Sequence, residues 1–139
     1  MSQVSIQVVI RGYQAFVSGD LETISELLAP EIEWVSADHD APVASRRDDV
    51  LEVLGERLGE GYRVELDRCI GVGDQVVVAA RFMSSGGDPA DERPLQTRRY
   101  YTVGRYACIV TIADGRVARV EDYPHLAAAL EAIGVDDSH

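Results

Sequence analysis

Residues 3–18 carry Ile6, Val9, Ile10, Tyr13, Phe16 and Val17 at helical spacing, which predicts a helix with one apolar stripe. Gly19 suits its stop, because glycine takes the left-handed backbone conformation without a Cβ clash. Asp20 can cap a second helix carrying Leu21, Ile24, Leu27 and Leu28, closed by Pro30. "EIEWV", 31–35, alternates and predicts a short strand, with Ile32 and Trp34 on one face and Glu31, Glu33 and Val35 on the other. A polar connection, 36–44, follows. Ser45 with Asp48 then resembles a capping box for a third helix bearing Val50, Leu51, Leu54 and Leu58, broken by Gly59 and Gly61.

From Tyr62 the period changes to two. Tyr62, Val64 and Leu66 oppose Arg63, Glu65 and Asp67, "GD" at 73–74 is a turn, and "QVVVAARFMSS" is the returning strand. "GGDPADERP", 86–94, has the composition of a hairpin connection. "LQTRRYYTVGRYACIVTI", 95–112, reads as a long strand bent or bulged at Gly104. "ADG", 113–115, turns into a last strand, and "HLAAALEAI" is a short final helix. Helices grouped early and hairpin-linked strands late indicate an α+β fold, with helices on one face of a mostly antiparallel sheet. A strongly bent sheet of this kind leaves a concave mouth suited to small molecules. No repeat, low-complexity tract or linker divides the chain, so one domain over 1–139 is expected.

The last strand, "RVARVEDY", raises the question of chemistry. Strict alternation puts Val117, Arg119, Glu121 and Tyr123 on one face and Ala118, Val120 and Asp122 on the other. The smaller, more apolar face therefore ends in a carboxylate. In an apolar mouth, desolvation would raise the Asp122 pKa toward the range of a general acid or base. Equally, Asp122 could bind backbone N–H groups at the start of the final helix, near Pro124.

Composition narrows the partners. Hydrophobic residues make up 46% and charged residues 27%, a globular balance. The formal net charge is −11 and every basic residue is arginine, a field that repels phosphate backbones and anionic lipid. Neither nucleic acid nor membrane is an expected partner. No apolar run approaches the ~18 residues of a membrane span. The start of the chain lacks a basic segment and cleavage site, so a cytoplasmic protein is expected. Cys69 and Cys108 lack CxxC spacing and read as buried free thiols. "DHD", 38–40, tempts a metal reading, yet adjacent strand residues point apart, and a solvated loop is the plainer reading. "GVGD", 71–74, lacks the third glycine of a dinucleotide fingerprint, and the nucleophile-elbow, P-loop and zinc-protease motifs are missing. Neither cofactor nor metal is expected.

"GYQAFVSGDLETISELLAPEIEWV" (12–35), the strand pair around "GD" and "VVV" (73–78), and "DGRVARVEDY" (114–123) together resemble the NTF2-like superfamily, specifically SnoaL-like polyketide cyclases and ketosteroid-isomerase-like proteins. The resemblance implies a cone-shaped, cystatin-like fold: three helices on a strongly curved sheet, a short C-terminal helix, and an apolar pocket. It also implies a homodimer through the sheet's outer face. In the cyclases an aspartate seven residues after the turn glycine serves as acid/base; counted from Gly115, that is Asp122. A histidine fourteen residues earlier would fall at Cys108, so it is missing here. Of the isomerase pattern, the general-base position holds Ser36, the oxyanion tyrosine position Gly12 and the helper acid position Ala107. Asp38 keeps the parity of Ser36 but sits ~6.6 Å further along the strand.

The expected site therefore has Asp122 as its acid/base, with Trp34, Tyr13, Asp38, Tyr101 and His125 as substrate contacts. Trp34 and Tyr13 also fit a plain core role, since buried aromatics dominate packing with or without a ligand. Of Tyr100, Tyr101 and Tyr106, one should line the cone and offer its phenol to a carbonyl. The expected ligand is a small hydrophobic, carbonyl-bearing molecule. The expected chemistry is cofactor-free proton transfer in a cyclase, isomerase, dehydratase or hydrolase. The alternative is a non-catalytic binding or dimeric assembly module that keeps the cone.

Overall fold

The computed structural model describes residues 2–36, 42–84 and 101–134. In chain order these are α1 (Ser2–Ser18), α2 (Leu21–Leu27), β1 (Leu28–Ser36), β2 (Pro42–Ser45) and α3 (Arg47–Gly59), followed by β3 (Tyr62–Val72), β4 (Gln75–Ser84), β5 (Tyr101–Ala113), β6 (Arg116–Tyr123) and α4 (Leu126–Ile133). The strands form one six-stranded sheet in the order β2-β1-β6-β5-β4-β3. Among the described residues β1 and β6 pair in parallel, and every other neighbouring pair is antiparallel. The sheet is curved and unclosed, with β2 and β3 at its edges. This is the α+β class the periodicity predicts.

Local chemistry explains the element ends. Gly19 takes φ 75°, and the Asp20 carboxylate accepts the Thr23 N–H at 3.1 Å, capping α2 as expected. Two expectations need correcting. Helix α2 stops at Leu27 and the chain is extended from Leu28, so Pro30 lies inside β1 and does not close the helix. The β1–β6 register is irregular between Leu28 and Glu33, which accommodates a residue without an N–H. Ser45 ends an edge strand absent from the sequence reading and does not cap α3; the cap residue is Arg46, at φ 85° with no side-chain cap bond. The expected bulge near Gly104 falls between the pairs Phe82–Gly104 and Met83–Thr102.

The core lies between α1, α2, α3 and the concave sheet face. Val9, Phe16, Ile24 and Val50 from the helices meet Ile32, Trp34, Val76, Val78, Cys108 and Val110 from the strands. Each such buried aliphatic side chain contributes about 1.5–3 kcal/mol. On the outer face α4 sets Ala129 and Leu130 against Val77, Ala107 and Ile109. The outer face expected to form a dimer contact thus already carries a helix. Beyond it runs a charged strip in which Arg119 pairs with Glu33 at 3.3 Å and Glu121 at 3.1 Å. Cys69 and Cys108 are free, as expected, but only Cys108 is buried; Cys69 is half-buried. Both sit opposite Val78 on strands either side of β4, two strand spacings or ~9.6 Å apart, beyond disulfide reach.

Candidate functional site

A cavity of about 260 Å³ opens between α1, α3 and the concave face. Its walls are apolar, with Phe16, Leu54, Val64, Phe82 and Val110 among them. Five side chains bring polar chemistry into it: Tyr13, Arg57, Tyr106, Cys108 and Asp122; Trp34 adds its indole N–H.

Strand parity delivers Asp122. It sits opposite Cys108 on β5 and Ser36 on β1, so the carboxylate joins the same inner row as the thiol. One expected neighbour changes sides. Thr111 pairs with Arg119 and Ile112 with Val117, leaving Ala118 as the extra residue of a bulge. That shift turns Val117 inward, beside Val120 and Asp122, where strict alternation would face it outward.

The Trp34 indole N–H donates to Asp122 Oδ2 at 2.6 Å. Burial raises the Asp122 pKa above its ordinary 3.8; the Trp34 hydrogen bond and the Arg57 charge each pull the other way and do not cancel it. The backbone-capping alternative for Asp122 does not hold. Its partner is an indole, and α4 is capped instead by His125, whose Nδ1 accepts the Ala128 N–H at 3.1 Å.

A second polar group lies beside this pair. The hydroxyls of Tyr13 and Tyr106 are 2.8 Å apart, and the Tyr13 hydroxyl is 3.8 Å from Cys108 Sγ. Burial pushes both phenols above their usual range, so they are neutral donors. The Cys108 thiol is pushed up to about 12, first by burial and then by the Asp122 charge. Phe82 stacks on Tyr106 with centroids 4.6 Å apart. The Arg57 guanidinium sits 4.9 Å from the Trp34 ring centroid and 5.6 Å from that of Phe82.

Asp122, Trp34 and Tyr13, singled out from the sequence, therefore line one cavity. Trp34 and Tyr13 also pack against the core, so the cavity and core roles coincide. His125, expected as a substrate contact, does not line the cavity with them: it is exposed and its ring caps α4. Asp38, the "DHD" stretch and the 86–94 connection lie outside the described residues, as does the Tyr101 side chain. Among the described residues, Tyr106 is the strand tyrosine that lines the wall. Arg57 was missed, although Val50, Leu54 and Arg57 fall on one helical stripe, and a charge on an apolar stripe is a legible signal. Among the described residues no group of three or more His, Cys, Asp or Glu side chains could hold a metal, and no helix is long and apolar enough to cross a membrane.

The family model for the SnoaL-like domain matches residues 9–120, and the chain belongs to that family. The match ends just short of Asp122. Among solved structures, the chain is similar to a provisionally assigned ketosteroid isomerase from Kribbella flavida, at 16% identity and TM-score 0.65, covering 87% of this chain and 77% of that one. It is similar to a provisionally assigned polyketide cyclase from Sinorhizobium meliloti, at 23% identity and TM-score 0.61, with 84% and 94% covered. It is also similar to an epoxide hydrolase from Mycobacterium tuberculosis, at 13% identity and TM-score 0.67, with 94% and 84% covered. No curated protein matches the sequence. At these identities the likeness is one of fold.

Proposed function

We propose that this SnoaL-like protein is an acid/base enzyme that moves a proton on a small, hydrophobic, carbonyl-bearing substrate without a cofactor. The observation that carries the reading is the Asp122 carboxylate in an apolar cavity, with its pKa raised by burial and its orientation fixed by Trp34. A carboxylate made more basic by its surroundings is a better proton acceptor.

The two phenols supply the complementary donor. Two hydroxyl hydrogens serve the Tyr13–Tyr106 pair, and one of them bridges the oxygens. The second is left for the weak sulfur acceptor of Cys108 or for a substrate oxygen. When a C–H next to the carbonyl gives its proton to Asp122, the C–H electron pair becomes a C=C bond. The carbonyl π pair moves onto oxygen, where a phenolic O–H stabilises it. Return of the proton to a different carbon of a conjugated enolate completes an isomerisation. If the enolate carbon instead attacks a second carbonyl of the substrate, that carbonyl's π pair moves to its oxygen, which takes the proton and closes a ring; if a β-hydroxyl departs with the proton, the C–O bond breaks and water is lost.

A second reading is a binding module that keeps the pocket without turnover. It is favoured by Cys108, which stands where the cyclases carry a histidine and whose thiol, pushed up to about 12, is no base near neutrality. The two readings separate in one experiment: exchange of α-hydrogens of small enolisable ketones in D2O, followed by NMR. The enzyme reading expects exchange catalysed by the wild type and slowed about 10²–10⁴-fold in Asp122→Asn. Equal rates in the two proteins would remove Asp122 from the chemistry.

A further inference from the structure

We infer that the cavity selects a compact aromatic or conjugated molecule bearing one ionised acidic oxygen, with Arg57 as the residue that recognises the charge. This rests on the cavity being the ligand site, as proposed above, and adds the sign of the ligand's charge and the side chain that reads it.

Arg57 is the one cationic side chain lining the cavity among the described residues. Its guanidinium lies over two aromatic rings, at 4.9 and 5.6 Å. Among the described residues it has no ion-pair partner, whereas Arg81 and Arg119 each hold carboxylates at 2.9–3.3 Å. Contact through aromatic faces leaves the guanidinium's five in-plane N–H donors available. Asp122 compensates the charge only through space. It lies beyond ion-pair distance from Arg57, and its Oδ2 is already held by Trp34.

A half-buried cation in an apolar wall costs free energy until an anion completes it. The protein's net charge of −11 would otherwise drive anions away, so the preference has to come from this local charge. The walls set the rest of the ligand. A cavity of roughly 150 Å³ holds benzene, and this one, at about 260 Å³, has room for a one- or two-ring body. Leu54, Val64, Val110 and the edges of Trp34 and Phe82 give such a body apolar contact beside the guanidinium that covers those rings.

The test uses two ring-matched probes, 2-naphthoate and neutral 2-naphthamide, titrated by calorimetry into the wild type, Arg57→Gln, Arg57→Lys and Asp122→Asn. The wild type is expected to bind the naphthoate at least about tenfold more tightly, the effect of one charge-assisted pair. Arg57→Gln should bring the two probes within about twofold of each other, and Arg57→Lys should keep part of the preference. Asp122→Asn should retain it, because the charge is read by Arg57. Equal affinities in the wild type, a preference that survives Arg57→Gln, or a naphthoate that does not bind the wild type would each overturn the inference. Should Arg57→Gln fail to fold, the wild-type and Arg57→Lys arms still decide it. Unchanged hydrogen exchange in Asp122→Asn would refute the proton-transfer reading while leaving a measured charge preference intact.

Discussion

Trp34 donates its indole N–H to Asp122 at 2.6 Å across the parallel pairing of β1 and β6. The single tryptophan of the chain and the one carboxylate that lines the cavity among the described residues are thereby a unit. The strands that carry them are far apart in sequence, so only the folded sheet creates the pair.

Replacing Trp34 by Phe keeps an aromatic ring in the wall but removes the donor. A hydrogen bond to a charged group is worth about 1.5–3 kcal/mol, and a loss in that range is expected by urea denaturation at neutral pH. The Asp122 pKa should rise further, because the hydrogen bond that favours its charged form is gone. A loss below about 0.5 kcal/mol would show that the bond adds little beyond ring packing.

Asp122 also sets a pH signature. Its folded pKa lies above the ordinary value of 3.8, so between those two values the folded state holds more protons than the unfolded state. Stability therefore falls as pH rises through that window, and the cost of the buried charge is fully present above the folded pKa. Asn at this position carries no charge and its Oδ1 can still accept the Trp34 N–H. Asp122→Asn is expected to melt higher than the wild type at pH 7, with the difference closing below about pH 4. Comparing the two proteins cancels the titration of the other carboxylates. A variant less stable at pH 7 by as much as at pH 3 would contradict the assigned shift.

The phenol pair offers a double-mutant cycle. Tyr13→Phe or Tyr106→Phe alone leaves one buried hydroxyl without its partner, at a cost of about 1–3 kcal/mol. Replacing both removes the need for the bond, so the double variant should lose less than the sum of the singles. A coupling energy of about 1 kcal/mol or more is expected from urea curves. Strict additivity would mean that the hydroxyls, 2.8 Å apart, do not depend on one another.

Much of this was legible before the fold. Gly19 and Asp20 mark the α1–α2 junction because backbone sign and capping are local properties. The inward direction of Asp122 followed from strand parity, a property of period two. Parity failed at Val117, because the bulge at Ala118 arises from pairing with β5 and leaves no mark on β6 alone. Pro30 misled in the same way: it suggested a helix end, yet the irregular pairing with β6 lets it sit inside a strand. His125 was drawn toward the pocket by its closeness in sequence to Asp122, but the start of α4 captured its ring. Arg57 went unremarked because a charged residue in a helix ordinarily faces water, and only its alignment with Val50 and Leu54 distinguishes it. The Tyr13–Tyr106 bond joins residues ninety-three positions apart, which no spacing rule reaches.

The most direct test is a carbon-13 NMR titration of the Asp122 side-chain carboxyl, assigned by its loss in Asp122→Asn. A midpoint clearly above 3.8 is the predicted result, moving higher still when Trp34 is replaced by Phe. A midpoint at or below 3.8 would contradict it: the carboxylate would then be an ordinary solvated or charge-stabilised acid, with no special basicity to lend a reaction.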